Sequence, residues 1–413
     1  MSGPRLRTRA RRLLRASRWL LPAALFALSV VPTLATVMNT TGMAARAAAW
    51  SDRWHGPAAE ARDWFRAGSA PVEELRPLAE APARWEGPWH AVDRNYARFD
   101  RWFNDHVGLR NLMIRSKNEI DFRLFDSSRR VYFGARQELY GRNLIDNEMP
   151  ATEYLLADPA RADAVYRGAR DFAARLKQQG VTLVLLTPIQ KPYYTRALMP
   201  AFAPRVPDES HFMALYRRLR AAPELHFVDV KRHLDENRDK FPIFFKQDFH
   251  WTDLTAMVVA ADATATIAAL EGSPLRWRHA LEADYQPFVG SEARFAARLN
   301  TRQTTIEPQL KKTWPTRHTE TAFDAATTGW EFKTDRLDDA ALLPATCLYG
   351  NSFSDGMLRA GLAEHFSRLG KISRALPLQQ VPALIRGQCR YLIVQVLDIQ
   401  TGHWAALASP PPQ

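Results

Sequence analysis

The sequence predicts an α/β fold: a mostly parallel sheet with helices on both faces, preceded by a transmembrane helix and a helical stalk. Three observations predict it. Short apolar runs alternate with amphipathic stretches between Pro159 and Asp398. Those runs are continuous rather than alternating, and a strand apolar on both sides must be buried on both sides, as parallel strands are. The first forty residues carry a basic tail and then a segment without charge.

The tail comes first. Of a formal net charge of +12, seven charges lie on Arg5, Arg7, Arg9, Arg11, Arg12, Arg15 and Arg18. Such a cluster suits a nucleic-acid-binding arm, but it runs directly into Trp19–Met38, which has no charged residue. Twenty helical residues reach about 30 Å, the thickness of a bilayer's hydrocarbon. We therefore read 1–18 as a cytoplasmic basic tail and 19–38 as a single-pass signal-anchor in the inner membrane. Everything after it faces the periplasm, by the positive-inside rule. A cleaved signal peptide is the alternative, given the small residues around Met43-Ala44-Ala45. Arg11-Arg12 as a twin-arginine export signal is weak in so basic a tail. No nucleic-acid partner is expected.

Residues 39–95 read as a periplasmic stalk, rich in Ala, Arg, Pro and Trp. Trp50, Trp54, Trp64, Trp85 and Trp89 suit anchoring at a membrane interface better than stacking on sugars. The remainder, 96–408, reads as the main domain, with 409–413 as a Pro-rich tail. From Phe99 a helical stretch runs to about Asp126, and Val131–Gly134 with Glu138–Gly141 forms a hairpin. After Pro159 a helix of about four turns stops at Gly180, and Val181–Pro188 follows as a buried strand. The unit repeats: helix Glu209–Arg220 into strand His226–Val230, strand Pro242–Lys246 into helix Asp253–Leu270, strand Thr346–Gly350 into helix Asp355–Leu369. Arg390–Asp398 is the last strand. The polar, basic block 272–339 breaks the alternation and reads as an insertion or lid. Cys347 and Cys389 would sit in an oxidising compartment, where either a bridge or two buried thiols is chemically allowed. No spacing suggests a metal.

Ligands of such sheets collect beyond the carboxyl ends of the strands. There stands Gly350-Asn351-Ser352-Phe353-Ser354-Asp355. A serine on a strand-to-helix turn is presented at the rim beside the free N–H groups of the helix start, so nucleophile and oxyanion donors coincide. A plain helix cap by Ser352 or Ser354 is the competing account. The second element is Gln247-Asp248-Phe249-His250-Trp251-Thr252. In an extended segment Asp248 and His250 share one side, so the carboxylate can hold the imidazole while its other nitrogen takes the serine proton. An isolated Asp-x-His is also what a surface ion pair or a metal-ligand pair looks like; the pairing with Ser352 is what favours catalysis. Lys191, Tyr193 and Asn351 are candidate substrate-binding residues lining the cleft.

Taken with Trp102–Arg110, Pro188–Pro192 and Ile393–Asp398, these motifs resemble the alginate O-acetyltransferase family of SGNH-hydrolase-like proteins, the AlgJ and AlgX type, over most of the chain after about Tyr96. The resemblance implies an SGNH-hydrolase-like domain with catalytic Ser352, His250 and Asp248, acting in the periplasm on an exported polysaccharide through an acetyl-serine. Asn351 stands where the wider class often has Asp. The resemblance further implies a multi-pass membrane acyltransferase as the partner that supplies acetyl groups. No Gly-rich nucleotide loop is present, so acetyl-coenzyme A is not expected as direct donor, and no cofactor is expected. An esterase with the same residues and a non-catalytic polysaccharide-binding scaffold are the alternatives.

Overall fold

The computed structural model describes residues 22, 26, 29–74, 76–82, 87–88, 92–207, 209–299, 305–324, 329–334 and 342–409. The arginine-rich tail, most of the first half of the expected span, Trp85, Trp89 and residues 410–413 lie outside them; residues 29–40 are helical. The chain divides into two compact units, Met1–Asp126 with Arg294–Arg302, and Ser127–Ala293 with Gln303–Gln413.

The first unit is helical: α1 (Met43–Ser51), α2 (Pro57–Ser69), α3 (Val92–His106) and α4 (Arg110–Phe125). The stretch expected as one helix from Phe99 is two. The break falls at Val107-Gly108, and residue 108 is glycine because a Cβ there would meet the Cβ of Ala35 at 2.4 Å; its N–H donates to Thr36 Oγ1 at 2.7 Å. Leu109 then takes a left-handed φ of 65° and restarts the helix. A buried ion pair helps hold the unit together, with Arg298 on Glu119 at 3.0 Å.

Along the rest of the chain follow β1 (Val131–Phe133), β2 (Leu139–Gly141), α5 (Met149–Ala157), α6 (Pro159–Gln178), β3 (Thr182–Leu186), α7 (Lys191–Thr195), α8 (His211–Ala221), β4 (Phe227–Val228), α9 (Val230–Asn237), α10 (Asp253–Glu271), β5 (Ala283–Phe288), α11 (Ser291–Ala296), β6 (Thr305–Leu310), β7 (His318–Asp324), β8 (Gly329–Thr334), β9 (Thr346–Tyr349), α12 (Ser352–Arg359), β10 (Arg368–Ile372), α13 (Val381–Leu384), β11 (Tyr391–Gln395) and α14 (Thr401–Ala408). The local reasons are legible. Asp158 caps α6 by accepting from the Ala160 N–H, and Pro159 occupies the first turn, where no N–H is needed. Ser210 and Thr252 cap α8 and α10 in the same way, and Gly272 closes α10 at φ 62°.

Seven strands form the main sheet in the order β4-β3-β11-β9-β10-β8-β7. The first five are mutually parallel, as a mostly parallel sheet requires, and β8 and β7 join antiparallel at one edge, so the sheet as a whole is mixed. Alternate residues of each central strand feed two cores. Val184, Leu186, Leu348 and Ile393 point to the face covered by α10, whereas Leu183, Leu185, Tyr349, Leu392 and Val394 point to the face covered by α6, α8 and α14. Helix α10 is long and apolar enough to cross a membrane by length and composition, but Ala256, Val259, Ala260, Ala263 and Ile267 are fully buried in the core.

Two expectations are corrected. Pro242–Lys246 is not a strand of the sheet; Phe244 makes one isolated bridge to Trp251, closing a tight loop. The helix expected over Asp355–Leu369 begins at Ser352 and ends at Arg359, because Gly361 turns left-handed at φ 95° and the chain re-enters the sheet as β10. Block 272–339, read from the sequence as an insertion or lid, contributes strands. It makes the β5–β6 pair and then extends the main sheet through β7 and β8. Cys347 and Cys389 are joined in a disulfide with their Cα atoms 5.7 Å apart, within the span such a bridge requires.

Candidate active site

Strand β9 ends at Tyr349, paired with Val394, and β11 ends one residue later at Gln395. The chain must turn there within two residues. Gly350 permits it: a Cβ would meet Gln395 Oε1 and Ser354 Oγ at 2.8 Å each. Asn351 is the N-cap of α12, its Oδ1 accepting from the Phe353 N–H at 3.0 Å. Ser354 is not the cap; its N–H and hydroxyl both donate to the Asn351 carbonyl, at 3.0 and 2.6 Å. Ser352 is half-buried and its hydroxyl is left unused by the turn itself, and its own N–H has no partner among the described residues.

The loop from Phe244 to Trp251 brings a histidine to that hydroxyl. Ser352 Oγ lies 2.7 Å from His250 Nε2, and His250 Nδ1 lies 2.6 Å from Asp248 Oδ1. With the carboxylate accepting from Nδ1–H, Nε2 is the nitrogen that accepts the serine proton. The expected cause was an extended segment with two residues on one side. The loop instead folds back as an Asx turn, in which Asp248 Oδ1 also accepts the His250 N–H at 2.9 Å. Its second oxygen accepts the Ser291 N–H at 2.8 Å. Gly290 makes this possible, since a Cβ there would sit 1.8 Å from the Gln247 carbonyl oxygen.

Electrostatics follow from that geometry. Burial opposes the charge on Asp248, but the His250 ring and the N–H groups of His250 and Ser291 outweigh it and hold the carboxyl at about 2. Asp248 is therefore ionised and fixed. The next carboxyl behaves oppositely: burial, reinforced by the Asp248 charge, pushes Glu292 up to about 8. The His250 ring packs between Phe249 and Phe353, with centroids at 4.0 and 5.0 Å. Trp251 Nε1–H donates to the Phe353 carbonyl at 3.2 Å, tying the histidine loop to the serine helix.

The remaining candidates fall elsewhere. Lys191 is 1% exposed, with its ammonium on the carbonyls of Leu139, Phe245 and Lys246 at 3.1, 2.9 and 2.5 Å and on Glu138 at 2.6 Å. It is a clamp beneath the histidine loop, not a cleft lysine. Tyr193 packs against both cores, and the cleft it borders, with Arg196, Glu209 and Arg217, contains none of Ser352, His250 and Asp248. Asn351 caps the helix beside Ser352. Sequence reasoning missed Ser291, Glu292, Gln395 and Lys371. Gln395 and Lys371 carried a signal, since each is a polar residue inside an otherwise apolar strand.

Comparison with known proteins gives one match that carries weight. The model of the family described as SGNH hydrolase-like domain, acetyltransferase AlgX, matches residues 150–374, more than half of the chain. No curated protein sequence matches. Among solved structures the chain is similar to the O-acetyltransferase domain of Pseudomonas putida AlgJ, at 15% identity and TM-score 0.42 over 66% of this chain and 92% of that one. It is also similar to Bacillus cereus PatB1 with a sulfonyl adduct, at 12% and 0.44 over 58% and 88%. For Pseudomonas aeruginosa AlgX the values are 16% and 0.40 over 67% and 66%.

Proposed function

Because the chain belongs to the SGNH hydrolase-like, AlgX-type acetyltransferase family, we propose that it transfers acetyl groups to hydroxyls of an exported polysaccharide through an acetyl-Ser352 intermediate. The observation that carries the reading is the unbroken series of hydrogen bonds from Asp248 through His250 to Ser352.

Ser352 Oγ attacks the donor's acetyl carbonyl while His250 Nε2 takes its proton. The negative charge that develops on the carbonyl oxygen is met by the Ser352 N–H. Asp248, already ionised, stabilises the imidazolium at Nδ1. The tetrahedral species collapses, the proton passes from Nε2 to the leaving group, and acetyl-Ser352 remains. A sugar hydroxyl then attacks that ester, giving its proton to Nε2, and the proton returns to Ser352 Oγ as the acetylated sugar departs.

The setting is the periplasmic face of the inner membrane, with 19–38 as a single-pass anchor and a multi-pass membrane acyltransferase supplying acetyl groups. What supports it is the arginine tail before an uncharged segment of spanning length. The test is mass spectrometry of the full chain after exposure to a chromogenic acetyl ester. The expected result is a gain of about 42 Da, one acetyl group, on the peptide holding Ser352, absent in Ser352→Ala, with transfer to an oligosaccharide. Hydrolysis alone with every sugar tried would favour the esterase. Unchanged polymer acetylation in cells producing Ser352→Ala at normal level would favour the scaffold.

A further inference from the structure

The turn that carries Ser352 is gripped by a buried residue that makes no hydrogen bond to His250. Lys371, on β10, is 6% exposed. Its ammonium donates to the Gly350 carbonyl at 3.0 Å and to Ser354 Oγ, and it lies 3.3 Å from Asp355 Oδ1. All of these acceptors belong to the serine turn and the first turn of α12.

The consequence lies in the peptide units. A peptide is planar and trans, so its C=O and N–H point in opposite directions. The Gly350–Asn351 unit is held at both ends, its carbonyl by Lys371 and its N–H by Gln395 Oε1 at 3.0 Å. The Asn351–Ser352 unit is held at its carbonyl by the Ser354 hydroxyl at 2.6 Å and the Ser354 N–H at 3.0 Å. That leaves the Ser352 N–H aimed away from the lysine side. The other two N–H groups at the helix start are already bonded, Phe353 to Asn351 Oδ1 and Ser354 to the Asn351 carbonyl. A continuous series therefore runs from ammonium to hydroxyl to carbonyl and, across one rigid peptide, to the Ser352 N–H, which has no partner among the described residues. Hydrogen bonds in such a series polarise one another, and one that starts on a buried cation raises the donor strength at its far end.

We propose that Lys371 is a positioning residue for acyl transfer, acting through Ser354 to orient and polarise the peptide whose N–H receives the oxyanion. It rests on the acetyl-Ser352 reading above. Asp355 is the counter-charge that keeps a cation beneath the turn, and Gly350 is glycine because any side chain would displace the Ser354 hydroxyl from the series.

The experiment compares a chromogenic acetyl ester with its thionoacetate analogue on the full chain. Sulfur replaces the oxygen that the donor must meet, so the rate ratio between the two reports oxyanion stabilisation specifically. Lys371→Met is expected to lower kcat for the oxygen ester about 10- to 50-fold, less than the loss of a whole oxyanion donor. KM and the thionoester rate should change little, so the ratio collapses. Lys371→Arg restores most of it. Ser354→Ala gives the same signature, and the double variant is no worse than the poorer single one, because the two act in series. Equal loss for both esters, a change confined to KM, or additive single effects would overturn the proposal. If Lys371→Met does not fold, Ser354→Ala carries the test alone. Should Ser352→Ala keep wild-type activity, the acetyl-serine reading fails instead, and the two failures are told apart.

Discussion

Replacing Asp248 by Asn tests the charge beneath the imidazole without removing its volume. Asp248 accepts three hydrogen bonds, from His250 N and Nδ1 on one oxygen and from Ser291 N on the other. An amide must turn one NH2 toward these donors. Facing Ser291 it sacrifices one bond, whereas facing His250 it sacrifices two, so the oxygen stays on the histidine and the ring keeps its tautomer. What is lost is the negative charge 2.6 Å from the ring that becomes imidazolium. A hydrogen bond to an ionised group is roughly twice as strong as a neutral one, and about 2–4 kcal/mol of transition-state stabilisation corresponds to about 30- to 1,000-fold in kcat. That is smaller than the roughly 10⁴-fold expected where the imidazole adopts the wrong tautomer. The fold also weakens: Asp248 sits at about 2 against an ordinary 3.8, and the stabilisation this brings is present above about pH 4 and lost as pH falls through about 2, about 2 kcal/mol at neutral pH. The assay is steady-state acetyl-ester turnover with urea unfolding alongside. A variant within twofold of wild type in kcat would refute the reasoning, and so would a loss beyond 10⁴-fold in a folded protein.

Two further outcomes are expected. Lys191→Met leaves Glu138 buried without its cation and frees the carbonyls of Leu139, Phe245 and Lys246, which should cost about 3–5 kcal/mol in denaturant unfolding; an unchanged midpoint would show that the clamp contributes nothing. Burial also pushes Asp398 up to about 8, as it does Glu292. Both are protonated in the folded protein and ionised in the unfolded chain between about pH 4 and 8, so the stabilisation is complete below the unfolded values and disappears as pH rises through about 8. His365, lowered by burial to about 4, acts with the opposite sign but only below about 6.5. Thermal melts should therefore fall from pH 6.5 to 8, and Glu292→Gln should flatten the slope; a melting temperature that rises across that window counts against the assignment.

Much of the fold was legible because burial on two faces writes itself into sequence as uninterrupted apolar runs. Thr182–Leu186, Thr346–Tyr349 and Tyr391–Gln395 needed no structure to be read as central strands. Strand β10 was not legible, since Arg368-Leu-Gly-Lys-Ile is short and polar, and its lysine is tolerated only because the serine turn supplies acceptors. Lys191 misled for the related reason that a lysine after a strand looks solvated until four carbonyl and carboxylate oxygens close round it.

By itself, then, the sequence determined where the central strands β3, β9 and β11 run, that a segment of spanning length follows a basic tail, and that an Asp-x-His precedes a serine turn. These are local or periodic properties, set by side-chain pattern and backbone chemistry. Tertiary structure decided the rest. Ser352 and Ser354 are two residues apart on a helix, about 200° around its axis, so the residue where α12 begins settles which hydroxyl meets His250 and which turns down to Lys371. That start is imposed by the close approach of β11 and β10 to the turn, a contact between segments far apart in the chain.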